Sequence, residues 1–232
     1  MAVIDFHSHI LPGMDDGSKD VNMSLKMLEE AAGQGVDIMV ATPHFYANQN
    51  TPAEFLKRRE KAWQQLEKQE LTGLPRIMLG AEVLFFNGIG YTEDIESLCI
   101  EGTNLMLLEM PFAPWSKVEL REVEYLLNRG ILLLIAHLER YFSFQKEKKM
   151  IASLLELPVC VQLNAECLLN WRQKQSAIKM FRNGEAQVLG SDCHNVTNRV
   201  PNLKKGRDVL EKKLGNDILY EIDDLGARML KL

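Results

Sequence analysis

Long hydrophobic runs are missing from this chain of 232 residues. The longest uninterrupted apolar run, 131–136, is far shorter than the roughly 20 residues that a membrane-spanning helix needs. The first residues, MAVIDFHSHI, lack the basic start and apolar stretch of a secretory signal, so no signal peptide is expected. The formal net charge of −5 argues against nucleic-acid binding, which favours a basic surface. We therefore expect neither stable membrane insertion nor a nucleic-acid partner.

Cysteine is scarce, and glycine-rich phosphate loops are absent. The four cysteines have no CxxC spacing, which favours a reduced, cytoplasmic protein. Neither GxGxxG nor GxxxxGK[ST] occurs, so the chain lacks the signatures of a dinucleotide site and of a P-loop. Cys193 and Arg199 have the Cys-x5-Arg spacing of thiol-based tyrosine phosphatases. The segment between them contains no glycine to form a phosphate-binding loop, so we do not expect Cys193 to be a nucleophile.

Short apolar segments alternate with segments of helical periodicity along the whole chain. Segments that are apolar on both faces are typical of a buried parallel sheet, and seven occur, at 2–6, 37–41, 76–81, 104–108, 131–136, 158–163 and 186–190. Thr51 and Glu54 form a capping-box pattern with Pro52 at the first helical position. The other helices are expected at 21–31, 116–128, 144–155, 165–181, 203–214 and 216–230.

This alternation predicts one α/β domain, 1–232, folded as a closed or nearly closed βα barrel. A doubly wound open sheet is the alternative. All five histidines lie at or next to the end of a predicted strand. Because functional groups of such barrels lie at the carboxyl ends of the strands, side chains from six strands should converge on one metal site. These are His7, His9, His44, Glu82, Glu109, His137, Asp192 and His194.

Imidazole and carboxylate ligands together suit manganese, zinc or iron. Residues two apart on a strand face the same side, so His7 and His9 are expected to bind one ion together. So many ligands predict two or three ions, with Glu82 and Glu109 as bridging carboxylates and with Asp15 and Asp16 as candidates for a further ligand. Ions of this kind activate water and neutralise charge on an attacked oxygen, which predicts a hydrolase.

Two arginines indicate which substrate class is hydrolysed. Arg140 lies three residues after His137, and Arg199 lies five residues after His194. Guanidinium groups match the oxygens of phosphate, so both arginines are expected to bind a phosphoryl group.

Six segments carry a resemblance to a known family: HSHILPGMDDG, ATPH, GAE, LLEM, IAHLERY and SDCHN. In this order they resemble the PHP (polymerase and histidinol phosphatase) superfamily. More narrowly, they resemble the bacterial manganese-dependent protein-tyrosine phosphatases of capsular and exopolysaccharide operons, from residue 4 to about residue 200. The resemblance implies a distorted seven-stranded (β/α)7 barrel with three metal ions, Mn²⁺ being the expected ion. It also implies a phosphotyrosine protein as the substrate, namely an autophosphorylated tyrosine kinase that controls polysaccharide export.

The same resemblance implies roles for individual residues. One ion would be held by His7, His9, Glu109 and Asp192. The other ions would be held by His44, Glu82, His137 and His194, with help from Asp16. Arg140 and Arg199 would bind the phosphate, and His44 and His137 are candidates for direct catalytic roles. A metal-bridging hydroxide is expected to attack phosphorus in line, with no phosphoenzyme.

Some alternatives stay open at this point. The aromatic residues past the strand ends either flank a phenol ring or only cap the barrel rim; they are Phe45, Tyr46, Phe112 and Trp115. A phosphatase of a small phosphomonoester such as histidinol phosphate has the same ligand set. A metal-binding regulatory module without turnover is a further alternative.

Overall fold

The computed structural model describes residues 1–145 and 149–232. A parallel sheet forms the centre of the fold. Within the described residues its strands are β1 Ile4–Ser8, β2 Ile38–Ala41, β3 His44–Phe45, β4 Arg76–Leu79, β5 Glu82–Leu84, β6 Leu105–Glu109, β7 Leu132–Ile135, β8 Cys160–Asn164 and β9 Val188–Gly190. The helices are α1 Val21–Ala32, α2 Pro52–Glu67, α3 Lys117–Asn128, α4 Lys149–Leu155, α5 Lys174–Arg182, α6 Leu203–Leu214 and α7 Asp217–Met229. None of the described helices is both long and apolar enough to cross a bilayer.

Backbone pairing divides the strands into two groups that are joined by further hydrogen bonds. One group has the order β4-β2-β1 and the other β3-β5-β6-β7-β8-β9, and every pair is parallel. The Asp192 amide donates to the His7 carbonyl over 2.7 Å, and the His9 amide donates to the Cys193 carbonyl over 2.9 Å, which links β1 to β9. The result is a mixed α/β fold with a curled parallel sheet.

Two short strands that were not predicted follow β2 and β4, each after an interruption of two residues. β3 follows β2 after Thr42 and Pro43, and β5 follows β4 after Gly80 and Ala81. Proline has no amide hydrogen to donate, and glycine permits a sharp change of direction, so both interruptions occur where a regular ladder is weakest. His44 and Glu82 therefore pair with each other at the start of new strands instead of following the ends of old ones.

The core is apolar on both faces of the sheet. Alternate positions of several strands form one buried cluster together with Met229 and Leu230 at the end of α7; these positions include Ile4, Phe6, Ile38, Val40, Leu105 and Leu107. The intervening positions, such as Met39 and Met106, join a larger cluster that includes the buried faces of the helices. Burial on both faces explains why these strands are apolar throughout in the sequence.

Most helix predictions are confirmed within one or two residues, and the capping box of Thr51 and Glu54 is present. The prediction of one helix over 165–181 is wrong, because a 3-10 turn at Ala165–Leu168 is separated from α5. Between them the Asn170 side chain accepts a hydrogen bond from the Arg172 amide, and this local bond competes with helix formation. The predicted helix 144–155 begins at Lys149 in the described part, and 146–148 lie outside the described residues.

Candidate metal centre

The predicted ligands converge at the carboxyl-end edge of the curled sheet. His7 lies in β1, and His9 follows it directly. The pairing of β1 with β2 is irregular between Asp5 and Ser8, in the segment that carries His7. The Nε2 atoms of His7 and His9 lie 3.1 Å apart, so the two imidazoles face the same point, as the HxH spacing predicts.

The outer nitrogens of these two rings are held by acceptors. His9 Nδ1 lies 2.7 Å from Asp15 Oδ2, and His7 Nδ1 lies 3.2 Å from Gln162 Oε1. Gln162 Oε1 also accepts the His137 amide hydrogen over 2.9 Å, which fixes the orientation of the Gln162 amide. Because both partners are acceptors, each Nδ1 carries a proton, and in the neutral form that binds a metal ion each Nε2 would present its lone pair to the centre.

Glu82 occupies the middle of the cluster and is only 1% exposed. Its Oε2 lies 3.1 Å from His7 Nε2 and 2.8 Å from His44 Nδ1, and its Oε1 lies 2.9 Å from His137 Nε2. Burial alone would raise the pKa of this carboxyl group. The surrounding histidines outweigh burial and hold the pKa well below its usual range, so Glu82 is ionised.

Asp16 lies at the solvent side of the cluster, where its side chain is 66% exposed. One of its oxygens is 3.4 Å from His44 Nε2 and 3.4 Å from His194 Nε2. Burial lowers the pKa of His194 to about 4, with a further contribution from positively charged His9. His194 is therefore neutral at neutral pH, which is the form that binds metal ions.

Three groups of side chains in the described part of the chain have donor atoms close enough to share an ion. They are His9, Asp16, His44 and His194; His7, His9 and Glu82; and His44, Glu82 and Glu109. The expected partnership of Glu109 with His7 and His9 is therefore not among them. Glu82 approaches those histidines, while Glu109 lies 3.4 Å from His137.

Several buried donor atoms fit a bound cation better than they fit each other. In the described residues, Glu82 Oε2, His44 Nδ1 and His194 Nε2 are buried without a directional hydrogen-bond partner. Unsatisfied polar atoms of this kind are costly, and each of these three belongs to a group that can share an ion. Mixed nitrogen and oxygen donors suit Mn²⁺, Zn²⁺ or iron, so these residues fit the metal that the sequence predicts.

Asp192 connects the cluster to the two predicted phosphate-binding arginines. Its Oδ1 lies 3.4 Å from His9 Nε2 and accepts a hydrogen bond of 2.8 Å from Arg199. Its Oδ2 accepts hydrogen bonds from Arg140, over 2.5 Å, and from the Asn164 amide, over 2.9 Å. Both arginine side chains are about one-third exposed, so their guanidinium groups lie beside the cluster and also reach solvent.

Backbone strain occurs at two of the predicted ligands. His137 has a φ of 32° and Asp192 has a φ of 53°, and both values lie in the left-handed region that non-glycine residues rarely adopt. Each residue follows a buried strand, so the unusual backbone turns its side chain at the strand end. Strain at such positions is typical of functional sites.

Gln162 and Asn164 belong to this centre but were missed in the sequence. Gln162 Nε2 donates to Asn164 Oδ1 over 2.8 Å, and Asn164 in turn donates to Asp192. The two residues thus link His7 to Asp192 through buried hydrogen bonds. The available signal was the pair of amide side chains at alternate positions of an otherwise apolar strand.

The structure separates the four aromatic candidates into two kinds. Phe45 and Trp115 are buried in the core and cannot flank a substrate ring. Tyr46 stacks on the His44 ring at 5.2 Å between centroids, and Phe112 stacks on the His137 ring at 5.8 Å. Cys193 is fully buried, and burial raises the pKa of its thiol well above the ordinary value, which argues against a nucleophilic role.

Comparison with known proteins identifies relatives over almost the whole chain. The tyrosine-protein phosphatase YwqE of Bacillus subtilis (strain 168) is 27% identical over 237 residues, which cover 99% of this chain and 92% of that protein. The tyrosine-protein phosphatase CpsB of Streptococcus pneumoniae is 26% identical over 223 residues, covering 92% of this chain and 91% of the relative.

Similar folds occur among solved structures. A structure described as one of YwqE and CpsB, "unique metal-dependent tyrosine phosphatases", superposes with a TM-score of 0.86 at 24% identity, covering 99% of this chain and 94% of that one. The inactive dihydroorotase-like domain of a Chaetomium thermophilum CAD-like protein covers 100% of this chain and 78% of that one, with a TM-score of 0.61 and 9% identity. The family model for capsular polysaccharide synthesis, CpsB/CapC, matches residues 3–227, and this chain therefore belongs to the CpsB/CapC family.

Proposed function

We propose that this chain is a metal-dependent protein-tyrosine phosphatase that acts in capsular or exopolysaccharide synthesis. The observation that carries the proposal is the buried cluster of histidines and carboxylates with two partly exposed arginines bonded to its edge at Asp192. Family membership and the tyrosine phosphatases among the relatives support the same activity.

The residues proposed to hold two or three divalent ions are His7, His9, Asp16, His44, Glu82, Glu109, His137, Asp192 and His194. Mn²⁺ is the ion that we propose, while Zn²⁺ and iron suit the same donors. Ions bound there would make water more acidic and withdraw charge from phosphoryl oxygens.

Metal binding at His137 is coupled to proton release. Burial lowers the pKa of His137, but hydrogen bonds to Glu109 and Glu82 outweigh the effect of burial and raise the pKa of His137 to about 9. An ion that binds His137 therefore displaces a proton.

The arginines and the rim residues supply substrate binding. Arg140 and Arg199 bind the phosphoryl oxygens and stabilise the charge that spreads over them in the transition state. Tyr46 and Phe112 flank the phenol ring, because each lies against a histidine of the cluster. His44 is the most exposed of the five histidines, at 15%, so its ring nitrogen that is not bound to an ion is best placed to assist the departing phenolate. A phenol with a pKa near 10 needs little protonation to leave.

We further propose one domain over 1–232 with a distorted (β/α)7 barrel of the PHP type. In this arrangement β2 with β3, and β4 with β5, each count as one bent strand. The substrate is a phosphotyrosine protein, and we propose an autophosphorylated bacterial tyrosine kinase of the polysaccharide machinery. All four cysteines are free thiols, in keeping with a cytoplasmic location.

The test compares three substrates with purified protein and added Mn²⁺: p-nitrophenyl phosphate, a phosphotyrosyl peptide and an alkyl phosphate. We expect hydrolysis of both aryl phosphates, weak hydrolysis of the alkyl phosphate and loss of all activity with a chelator. His137→Ala should lose activity and bound metal together, as measured by elemental analysis. A strong preference for the alkyl phosphate would instead favour a small-molecule phosphatase, and full activity of the chelated protein would refute the metal mechanism.

A further inference from the structure

A polar cavity adjoins the metal cluster at Asp192, and both arginines line it. It has a volume of about 320 Å³, at the lower end of the range for ligand pockets. Its lining includes Arg140, Arg199 and Asp192, together with Glu166 and Lys205 of α6. A phosphoryl group bound to both arginines and a second group bound to Lys205 would therefore occupy the same cavity.

Lys205 differs from its cationic neighbours on α6. Lys204 is paired with Asp208 over 2.7 Å, and Arg207 is paired with Asp223 over 2.6 Å. Within the described ranges Lys205 forms no ion pair, and its side chain is exposed at the cavity.

The position of Lys205 in the helix also works against helix stability. It is the third residue of α6, and a cation in the first turn interacts unfavourably with the positive end of the helix dipole. Stabilisation of α6 therefore does not explain a lysine at this position.

The charges around the cavity favour an acidic ligand. Asp192 already binds both arginines, so its charge is compensated. The three cations of the lining outnumber its two carboxylates, and Glu166 is exposed. Once a phosphoryl group engages the arginines, Lys205 is the cation left to attract a second negative group.

We propose that Lys205 selects phosphotyrosyl segments that carry an acidic side chain close to the phosphotyrosine. This inference rests on the proposed phosphatase function and adds a sequence preference to it. The lysine ammonium group pairs with the carboxylate of the flanking residue in the cavity. Lys205 is thus a specificity-determining residue, and the hydrolytic chemistry takes place at the metal centre.

The experiment measures kcat/KM for phosphotyrosyl peptides in which a single Asp or Asn is placed at each position around the phosphotyrosine. For the wild-type protein we expect at least one position where Asp is preferred over Asn by about two- to fivefold, the size of one exposed ion pair. The preference for Asp over Asn should disappear in Lys205→Gln. In Lys205→Glu it should reverse, and this variant should favour a third peptide that has Lys at the same position. High salt should weaken it, because exposed charges are screened.

Lys204→Gln is the matched control, since it removes the same charge from the adjacent residue, and it should keep the wild-type preference. Equal Asp/Asn ratios in the wild-type and Lys205→Gln proteins would overturn the inference, and so would a Lys205→Glu protein without reversed selectivity. Wild-type hydrolysis of p-nitrophenyl phosphate is measured in parallel. If that hydrolysis is absent, the proposed function itself fails, which is a different result from unchanged selectivity in an active enzyme.

Discussion

At the scale of single residues, Gln162 shows how a neutral side chain can define a metal site. Its oxygen faces both His7 Nδ1 and the His137 amide, so one acceptor sets the tautomer of one candidate ligand and the backbone position of another. The residue is fully buried, and no solvent can replace the lost acceptor. Loss of a hydrogen-bond partner of this kind typically costs about 10- to 100-fold in metal affinity or activity.

We expect Gln162→Leu to lower Mn²⁺ affinity by about 10- to 100-fold, because His7 loses the acceptor that orients its ring. Isothermal titration calorimetry on the metal-free protein measures the change. Gln187→Leu is the control, since Gln187 makes comparable bonds to Val161 and Gly184 away from the cluster. Gln162→Glu, which keeps an acceptor, should recover part of the affinity. Wild-type affinity in a folded Gln162→Leu protein would refute this orienting role.

At the scale of elements, the contact between α6 and the turn after β8 depends on a glycine. A Cβ atom on Gly206 would lie 2.8 Å from Ala165 Cβ and 3.0 Å from Ala165 Cα. The turn at Ala165–Leu168 follows Asn164, and α6 carries Lys205. The close approach therefore positions both the hydrogen-bonded strand end and one wall of the cavity.

Gly206→Ala should destabilise the protein by about 1–3 kcal/mol, because the added methyl group overpacks the contact with backbone atoms. In a helix with free space at this position the same substitution would stabilise the protein, because alanine is more favourable than glycine in a helix by about 1 kcal/mol. Urea unfolding measures the difference, with Lys212→Ala on the exposed face of the same helix as a control. A Gly206→Ala protein as stable as the wild type would mean that α6 can move away from the turn without cost.

Element boundaries were predictable where local signals were strong. The capping box identified the start of α2, and apolar spacing identified α6 from its first to its last residue. The separation of β3 from β2, and of β5 from β4, was not predictable. It depends on which neighbouring strand each short strand pairs with. The break within 165–181 contains a local hydrogen bond from the Arg172 amide to the Asn170 side chain, which helical periodicity does not predict.

At the scale of the whole molecule, the candidate centre concentrates buried charge where strands distant in sequence meet. Glu82, Glu109 and Asp192 are each at most 5% exposed, and five histidines surround them. Ions that bind the folded state and not the unfolded chain stabilise the fold by mass action. The metal content is therefore expected to set global stability as well as activity.

Saturating Mn²⁺ should raise the thermal midpoint of the chelator-treated protein. An ion concentration of 100 times Kd contributes about 2.7 kcal/mol per site, which corresponds to roughly 5–10 °C for a domain of this size. Differential scanning calorimetry measures the shift, and His137→Ala should show a smaller one. An unchanged midpoint at saturating Mn²⁺ would contradict coupling between metal binding and folding.

The sequence by itself determined the chemical types at the centre and the approximate places where they occur. Histidines and carboxylates that follow buried strands must come together when those strands lie parallel, so convergence was predictable from order and spacing alone. The tertiary structure decided which donors face each other. In the fold, Glu82 lies against His7 and His9, and Gln162 and Asn164 link His7 with Asp192. Lys205 lines the same cavity as the two arginines. These choices depend on bends, strained φ angles and close helix contacts between residues far apart in the chain, and no local pattern encodes distances of that kind.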